Sequence, residues 1–297
     1  MPMCYIGTNI NSRGRIIMKR VKNIVIANAS GNITAFVLDE TPRYQYEKIA
    51  DQLLANGEYK AEQVAFVKKI DKVKGPNNSA SDGAVGTMEM SGLEFCGNAS
   101  RSFAMMIAKI NGLSGDAVIP IKISGCEEVL DVKLNCDTGY SCINMPEILS
   151  ITKLDKPTAE IAKDGYEVEM EGITHIIVRN IEPNSESFEK IKEAFYAKKD
   201  AAALGVMFMS RTAKYMTPVV YVKGINSTYF EGSCGSGTTA AAAALSADKA
   251  DGKYHYSFRQ PAGNIAANVE VKDGKVAAIS IEGPVALSEK ITTELEI

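Results

Sequence analysis

The stretch EFCGNASRSF (94–103) has a second version, EGSCGSGTTAAAAAL (231–245), whose cysteine lies 138 residues after the first. In both, a cysteine stands directly before a glycine, a small polar residue and a run with helical character. A chain with this repeat has to start a helix at each cysteine and surround each helix with similar elements. Two halves of one plan satisfy that requirement, and 297 residues are enough for each half to bury its own apolar interior. The repeat is too long for a solenoid unit, which leaves an internal duplication.

The flanking segments agree. NIVIANASGNITAFVLD (23–39), EQVAFVKKI (62–70), AVIPIKISG (117–125) and EVLDVKLN (128–135) are β-branched and bounded by Gly, Asn and Asp, as strands are. YQYEKIADQLLAN (44–56) has helical spacing and stops at Asn56-Gly57. The second half repeats the mixture. THIIVRNI (174–181), MTPVVYVKG (216–224) and AANVEVKDGKVAAISIEG (266–283) are strand-like, the last with a hairpin turn at Asp273-Gly274. SESFEKIKEAFYAKKDAAAL (185–204) and GTTAAAAALSADKA (237–250) are helical. The expected division is residues 1–17 as an N-terminal extension, with Met18 an alternative start, then 18–145 and 146–283, with a C-terminal strand, 284–297, joining the first half.

Charge and composition narrow the function. A net charge of -3 with scattered Lys and Arg offers no basic stripe for nucleic acid. No apolar run approaches the roughly 18 residues of a membrane span, and no apolar block near the N-terminus has the form of a secretory signal. The expected location is the reducing cytoplasm. The six cysteines form no CxxC pair and no zinc-type spacing with histidine, so neither a metal centre nor a disulfide framework is expected. Cys4, Cys126, Cys136 and Cys142 read as non-catalytic.

Cys96 and Cys234 differ from these four by position. A helix N-terminus presents unpaired N–H groups and partial positive charge, which bind anions and lower the pKa of a nearby thiol. Gly97 and Asn98 after the first cysteine, and Gly235 and Ser236 after the second, let a ligand come close to the backbone. A thiol and a thiolate can invert an α-carbon, one removing the proton from one face while the other supplies a proton to the opposite face. The enolate charge that develops on a substrate carboxylate is what two helix ends stabilise.

At these residues the chain resembles the diaminopimelate epimerase and proline racemase superfamily. SGNITAFVLD is similar to its N-terminal Gly-Asn strand, EFCGNASRSFA and SCGSGTTAAAA to its two cysteine motifs, and QPAGNI (260–265) to the segment after the second helix. The resemblance covers nearly the whole chain from Met18. It implies an α+β fold of two pseudo-symmetric domains of diaminopimelate epimerase-like type, each a mostly antiparallel curved sheet around a central helix. It also implies an isomerase needing no pyridoxal phosphate or other cofactor, with Cys96 and Cys234 as the acid/base pair and Asn32, Gln63 and Asn98 touching substrate. A homodimer is the expected assembly, with a free amino acid as the small-molecule partner.

Three departures bear on the substrate. Where diaminopimelate epimerases carry an asparagine nine residues before the first cysteine, a Gly-Asn-Pro-His segment and a Glu-Arg pair before the second cysteine, this chain has Thr87, GITH (172–175) and Ile225-Asn226. A second charged carboxylate would lack partners there. The motifs resemble more closely the histidine racemases of staphylopine-type metallophore synthesis, in which a glutamate precedes the glutamine of the EQV strand, as Glu62 does here. Histidine is therefore the leading substrate.

Diaminopimelate, another free amino acid, an amine-free proton-shifting isomerisation and a binding or thiol-redox role remain the alternatives. Glu62 and Glu231 are each either a carboxylate that recognises an imidazole or tunes a thiol, or a solvated acid. His175 either tunes the first thiol or is structural; His255 reads as structural. Two reactive thiols close together would oxidise, so activity is expected to need a reductant.

Overall fold

The structure, a computed structural model, describes residues 8–10, 16–73, 75–154 and 165–296. Most of the 1–17 extension lies outside the described residues. The chain forms two compact units: Met1–Ala29, Ile33–Ser141 and Pro284–Ile297 make one, and Ser30–Asn32 with Cys142–Gly283 make the other.

In the first unit the order is β1 (Thr8–Ile10), β2 (Ile16–Ala29), β3 (Asn32–Val37), α1 (Tyr46–Ala55), β4 (Gln63–Ile70), β5 (Gly86–Met90), α2 (Gly97–Ile110), β6 (Asp116–Ile123), β7 (Leu130–Asn135) and β8 (Tyr140–Asn144). Strands β1 to β7 are neighbours in chain order. β3 and β4 pair in parallel, as do β5 and β6. Parallel neighbours need a crossover, and α1 and α2 supply it. The sheet curls around α2, which touches β2, β5, β6 and β7 and is buried from Gly97 to Ala108. α1 covers a separate core of Ile24, Val37, Ile49, Leu53 and Phe66.

The second unit repeats the plan with β9 (Ile148–Leu154), β10 (Gly165–Met170), β11 (Ile173–Arg179), α3 (Ser185–Tyr196), β12 (Ala203–Met209), β13 (Met216–Val222), β14 (Ser227–Phe230), α4 (Gly235–Ser246), β15 (Gly252–Arg259), β16 (Asn264–Lys272) and β17 (Lys275–Leu287). Six strands lie in the order β14-β13-β12-β11-β10-β9, and β15, β16 and β17 pair antiparallel. The six-stranded sheet has one parallel pairing, β11 with β12, which α3 bridges. α4 packs against strands of both groups. Its alanines, Ala240 to Ala244, are buried, as in a helix that is apolar all round and enclosed. From β17 the chain returns to the first unit, where β18 (Ile291–Glu296) pairs antiparallel with β2.

The α+β class and the mostly antiparallel curved sheets around a central helix are as expected, and the hairpin turn falls at Asp273-Gly274, both at positive φ. Two boundaries differ. The 23–39 segment is two strands joined at Ser30-Gly31, both in the left-handed region (φ 57 and 93). The 185–204 helix stops at Tyr196, and Leu204 to Met209 pair with β11 instead. The Ser30-Gly31 turn belongs to the second unit, where a Cβ on Gly31 would lie 2.5 Å from the Ala262 backbone carbonyl. Gly31→Ala is therefore expected to destabilise the protein by about 1–3 kcal/mol, since both the left-handed backbone and the clash with another backbone resist relief. A urea titration would read this as a lower midpoint at unchanged slope.

Candidate active site

Each cysteine is the N-cap of a buried helix. Cys96 is extended (φ -135, ψ 110) before α2, and its Sγ accepts the Ala99 N–H at 3.4 Å. Cys234 is extended (φ -128, ψ 117) before α4, and its Sγ accepts the Gly237 N–H at 3.3 Å. The repeat extends to a hydroxyl four residues on. Ser100 Oγ donates to the Cys96 carbonyl at 2.8 Å, and Thr238 Oγ1 to the Cys234 carbonyl at 2.7 Å. With the third N–H of each helix used by the cap, those of Gly97 and Asn98, and of Gly235 and Ser236, stand at the helix start where an anion binds.

The two thiols have different surroundings. Cys96 is half-buried, and its S–H donates to Gln63 Oε1 at 3.0 Å, so Gln63 meets the thiol itself. Cys234 is buried, with Ser236 Oγ 3.5 Å away. Burial first, then the charge of Glu231 and its hydrogen bond with the thiol, push the Cys234 pKa well above the usual thiol value; Ser236 and the Gly237 N–H pull it down by less. The helix terminus alone would have lowered it. For Cys234, burial and the carboxylate prevail, contrary to the lowering expected from position, and the thiol holds its proton.

Asn98 and Arg101 act together on α2. Arg101, the largest fully buried side chain, donates from Nη2 to Asn98 Oδ1 at 2.8 Å and from Nη1 to the Ser141 carbonyl at 3.4 Å. This fixes the Asn98 amide with its oxygen occupied, leaving Nδ2 to donate. Asn32 is buried, and its Nδ2 donates to the Ser233 carbonyl at 3.3 Å, one residue before Cys234. Glu62 is exposed just before β4, its N–H donating to the Ile33 carbonyl at 2.8 Å.

His175 lies on β11 in the second unit, fully buried, opposite Gly205 on β12. Neither ring nitrogen has a hydrogen-bond partner among the described residues. A side chain on Gly205 would collide with the ring, so the glycine makes the slot. Met207, two residues along β12, fills the space a side chain on Gly237 would need. His255, by contrast, is exposed and pairs with Asn268 at 2.9 Å.

Arg101, Gln260, Ser100 and Thr238 were not singled out from sequence. The paired hydroxyls four residues after each cysteine were the available signal. The five described cysteines, Cys96, Cys126, Cys136, Cys142 and Cys234, are free thiols. No cluster of three or more metal-ligating side chains occurs among the described residues, and no helix among them is long and apolar enough to cross a membrane.

The fold is that of the epimerases. A solved structure described as a predicted epimerase from Pseudomonas aeruginosa superposes with a TM-score of 0.61, covering 93% of this chain and 99% of that one at 12% identity. Sequence is more specific. The family model for the histidine racemase CntK N-terminal domain matches residues 22–291, and the chain belongs to that family. A histidine racemase of Fusobacterium nucleatum subsp. nucleatum is 34% identical over 74% of this chain and 80% of its own length. One of Staphylococcus aureus is 26% identical over 80% and 85%.

His175 yields a test by pH. Burial holds its ring pKa down to about 3, against 6.5 for the exposed group. Since the folded value is depressed, the associated stability is complete above pH 6.5 and is lost progressively as pH falls towards 3, at about 1.4 kcal/mol per pH unit. Between pH 7 and pH 5 the protein should lose roughly 2 kcal/mol that His175→Met does not lose. Urea unfolding of both proteins at the two pH values checks this, and parallel losses would place the ring in a solvated setting.

Proposed function

We propose that this protein racemises histidine, with Cys96 and Cys234 as the two acid/base groups and no pyridoxal phosphate or other cofactor. The observation that carries the reading is the matched pair of helices α2 and α4, each begun by a cysteine whose Sγ takes the third N–H of its helix. Membership of the histidine racemase family supports the substrate.

In this reading the substrate carboxylate takes the N–H groups of Gly97, Asn98, Gly235 and Ser236, with Asn98 Nδ2 as a further donor and Asn32 bracing the segment before Cys234. One cysteine, as thiolate, removes the α-proton. The other, as thiol, donates a proton to the opposite face, and the roles exchange for the other enantiomer. Helix-end N–H groups stabilise the negative charge that builds on the carboxylate during transfer. Gln63 orients the Cys96 thiol. Glu231, whose charge and hydrogen bond bear on the Cys234 thiol, is assigned as the acceptor of its proton and returns it after turnover. Glu62 is assigned to the imidazole of the substrate, and His175 acts as a neutral ring. The protein is further taken to be a cytoplasmic homodimer acting on a free amino acid, with no nucleic-acid or membrane partner.

The test is α-hydrogen exchange in deuterated water, followed by NMR and polarimetry under reductant without added cofactor. Histidine should exchange and lose optical activity, and diaminopimelate should not. Cys96→Ser and Cys234→Ser should each lower turnover on the order of 10²–10⁴-fold. Both should stay folded, because serine caps a helix at least as well as cysteine. Full turnover by both single variants would end the two-thiol mechanism, and exchange of diaminopimelate would overturn the substrate assignment.

A further inference from the structure

We propose that Gln260 is a positioning residue for Cys234, supplying from a neighbouring loop the half of a capping box that α4 cannot make for itself. The proposal rests on the reading of Cys234 as an acid/base group.

In a capping box the N-cap side chain takes the N–H of the third helical residue, and a Glu or Gln at that third position returns a bond to the N-cap N–H. α4 has only the first half. Cys234 Sγ accepts from Gly237, but Gly237 has no side chain to return, and Met207 occupies the space one would need. Left alone, the Cys234 N–H would be a buried donor without an acceptor, which costs about 1–3 kcal/mol. Gln260, buried between β15 and β16, takes its place. Its Oε1 accepts the Cys234 N–H at 2.8 Å. Its Nε2 donates to Thr238 Oγ1 at 2.9 Å, and Thr238 donates in turn to the Cys234 carbonyl at 2.7 Å.

The ring closes on one residue. Both backbone polar groups of Cys234 are held, so its φ and ψ are set from both sides and only the thiol rotamer is left. The loop itself is anchored: the Gln260 N–H donates to the Gly263 carbonyl at 2.8 Å, and the Ala262 N–H to the Gly232 carbonyl at 2.9 Å, two residues before Cys234. The first unit uses a glutamine differently, since Gln63 holds the Cys96 thiol through its side chain. One glutamine fixes a sulfur and the other fixes a backbone.

The experiment compares wild type, Gln260→Met and Thr238→Val for histidine turnover and for the rate at which iodoacetamide alkylates each cysteine, read by peptide mass. Gln260→Met should lower kcat on the order of 10²-fold, as a thiol about 1 Å out of place would, with KM changed by no more than about twofold. Alkylation of Cys234 should accelerate relative to Cys96 in the same sample, a change that general destabilisation would not confine to one thiol. Thr238→Val, which cuts the far side of the ring, should move both readouts the same way by less, and it carries the test if Gln260→Met does not fold. The double variant should be no worse than Gln260→Met alone. Unchanged kcat and an unchanged alkylation ratio would overturn the proposal, as would a loss confined to KM. Full turnover by Cys234→Ser would instead remove the acid/base reading, and the alkylation ratio would still decide whether Gln260 holds that cysteine.

Discussion

A helix that starts inside a sheet has N–H groups to satisfy and little water to satisfy them, and in both units that task falls to a cysteine. Sulfur is a weak acceptor, and the cap bonds are correspondingly long, 3.4 Å at Cys96 and 3.3 Å at Cys234. Serine or aspartate would serve helix stability better. Helix stability alone therefore does not account for sulfur at both caps. The helix has to be buried for its end to act strongly on a bound charge, so strands enclose it. An enclosed helix has no face for water, so α2 is buried from Gly97 to Ala108 and α4 buries Ala240 to Ala244.

The two sites are related but unequal. Gln63 gives the Cys96 thiol a neutral acceptor, whereas Cys234 has a carboxylate beside it and almost no exposure. A thiolate at Cys234 next to an ionised Glu231 would place two negative charges in poorly solvated surroundings, so burial and the Glu231 charge together raise the Cys234 pKa. For a racemase the consequence is restricted by thermodynamics. Two enantiomers of one free amino acid have equal free energy, so kcat/KM is the same in both directions whatever the sites look like. Unequal thiols can show only in kcat and KM taken separately.

What could be read from the sequence was what repeats or has a local period. The two cysteine motifs are short contiguous patterns, and the Asp273-Gly274 turn is set by residues adjacent in the chain. The Ser30-Gly31 turn was hidden because β2 and β3 are both rich in β-branched residues and read as one run. Its membership of the second unit depends on the approach of Gly31 to the Ala262 backbone, which no local pattern encodes. Arg101 was overlooked for a related reason: a charged residue in a helix ordinarily faces water, and the bond that carries Arg101 beyond its own helix, to the Ser141 carbonyl, is tertiary. Gln260 escaped because what it recognises is a backbone N–H, which any residue at position 234 would present.

The glycines of the second unit carry the same logic into its interior. Gly205 and Gly237 are not needed for a turn; they remove Cβ atoms where a histidine ring and a methionine must fit. A neutral ring in such a slot loses its bonds to water, and the charged form would cost far more, so the ring is held neutral. With its pKa held to about 3, His175 stays uncharged throughout the range in which a thiol and a carboxylate exchange protons. At those pH values the ring is therefore a neutral dipole, with one nitrogen able to donate and the other to accept.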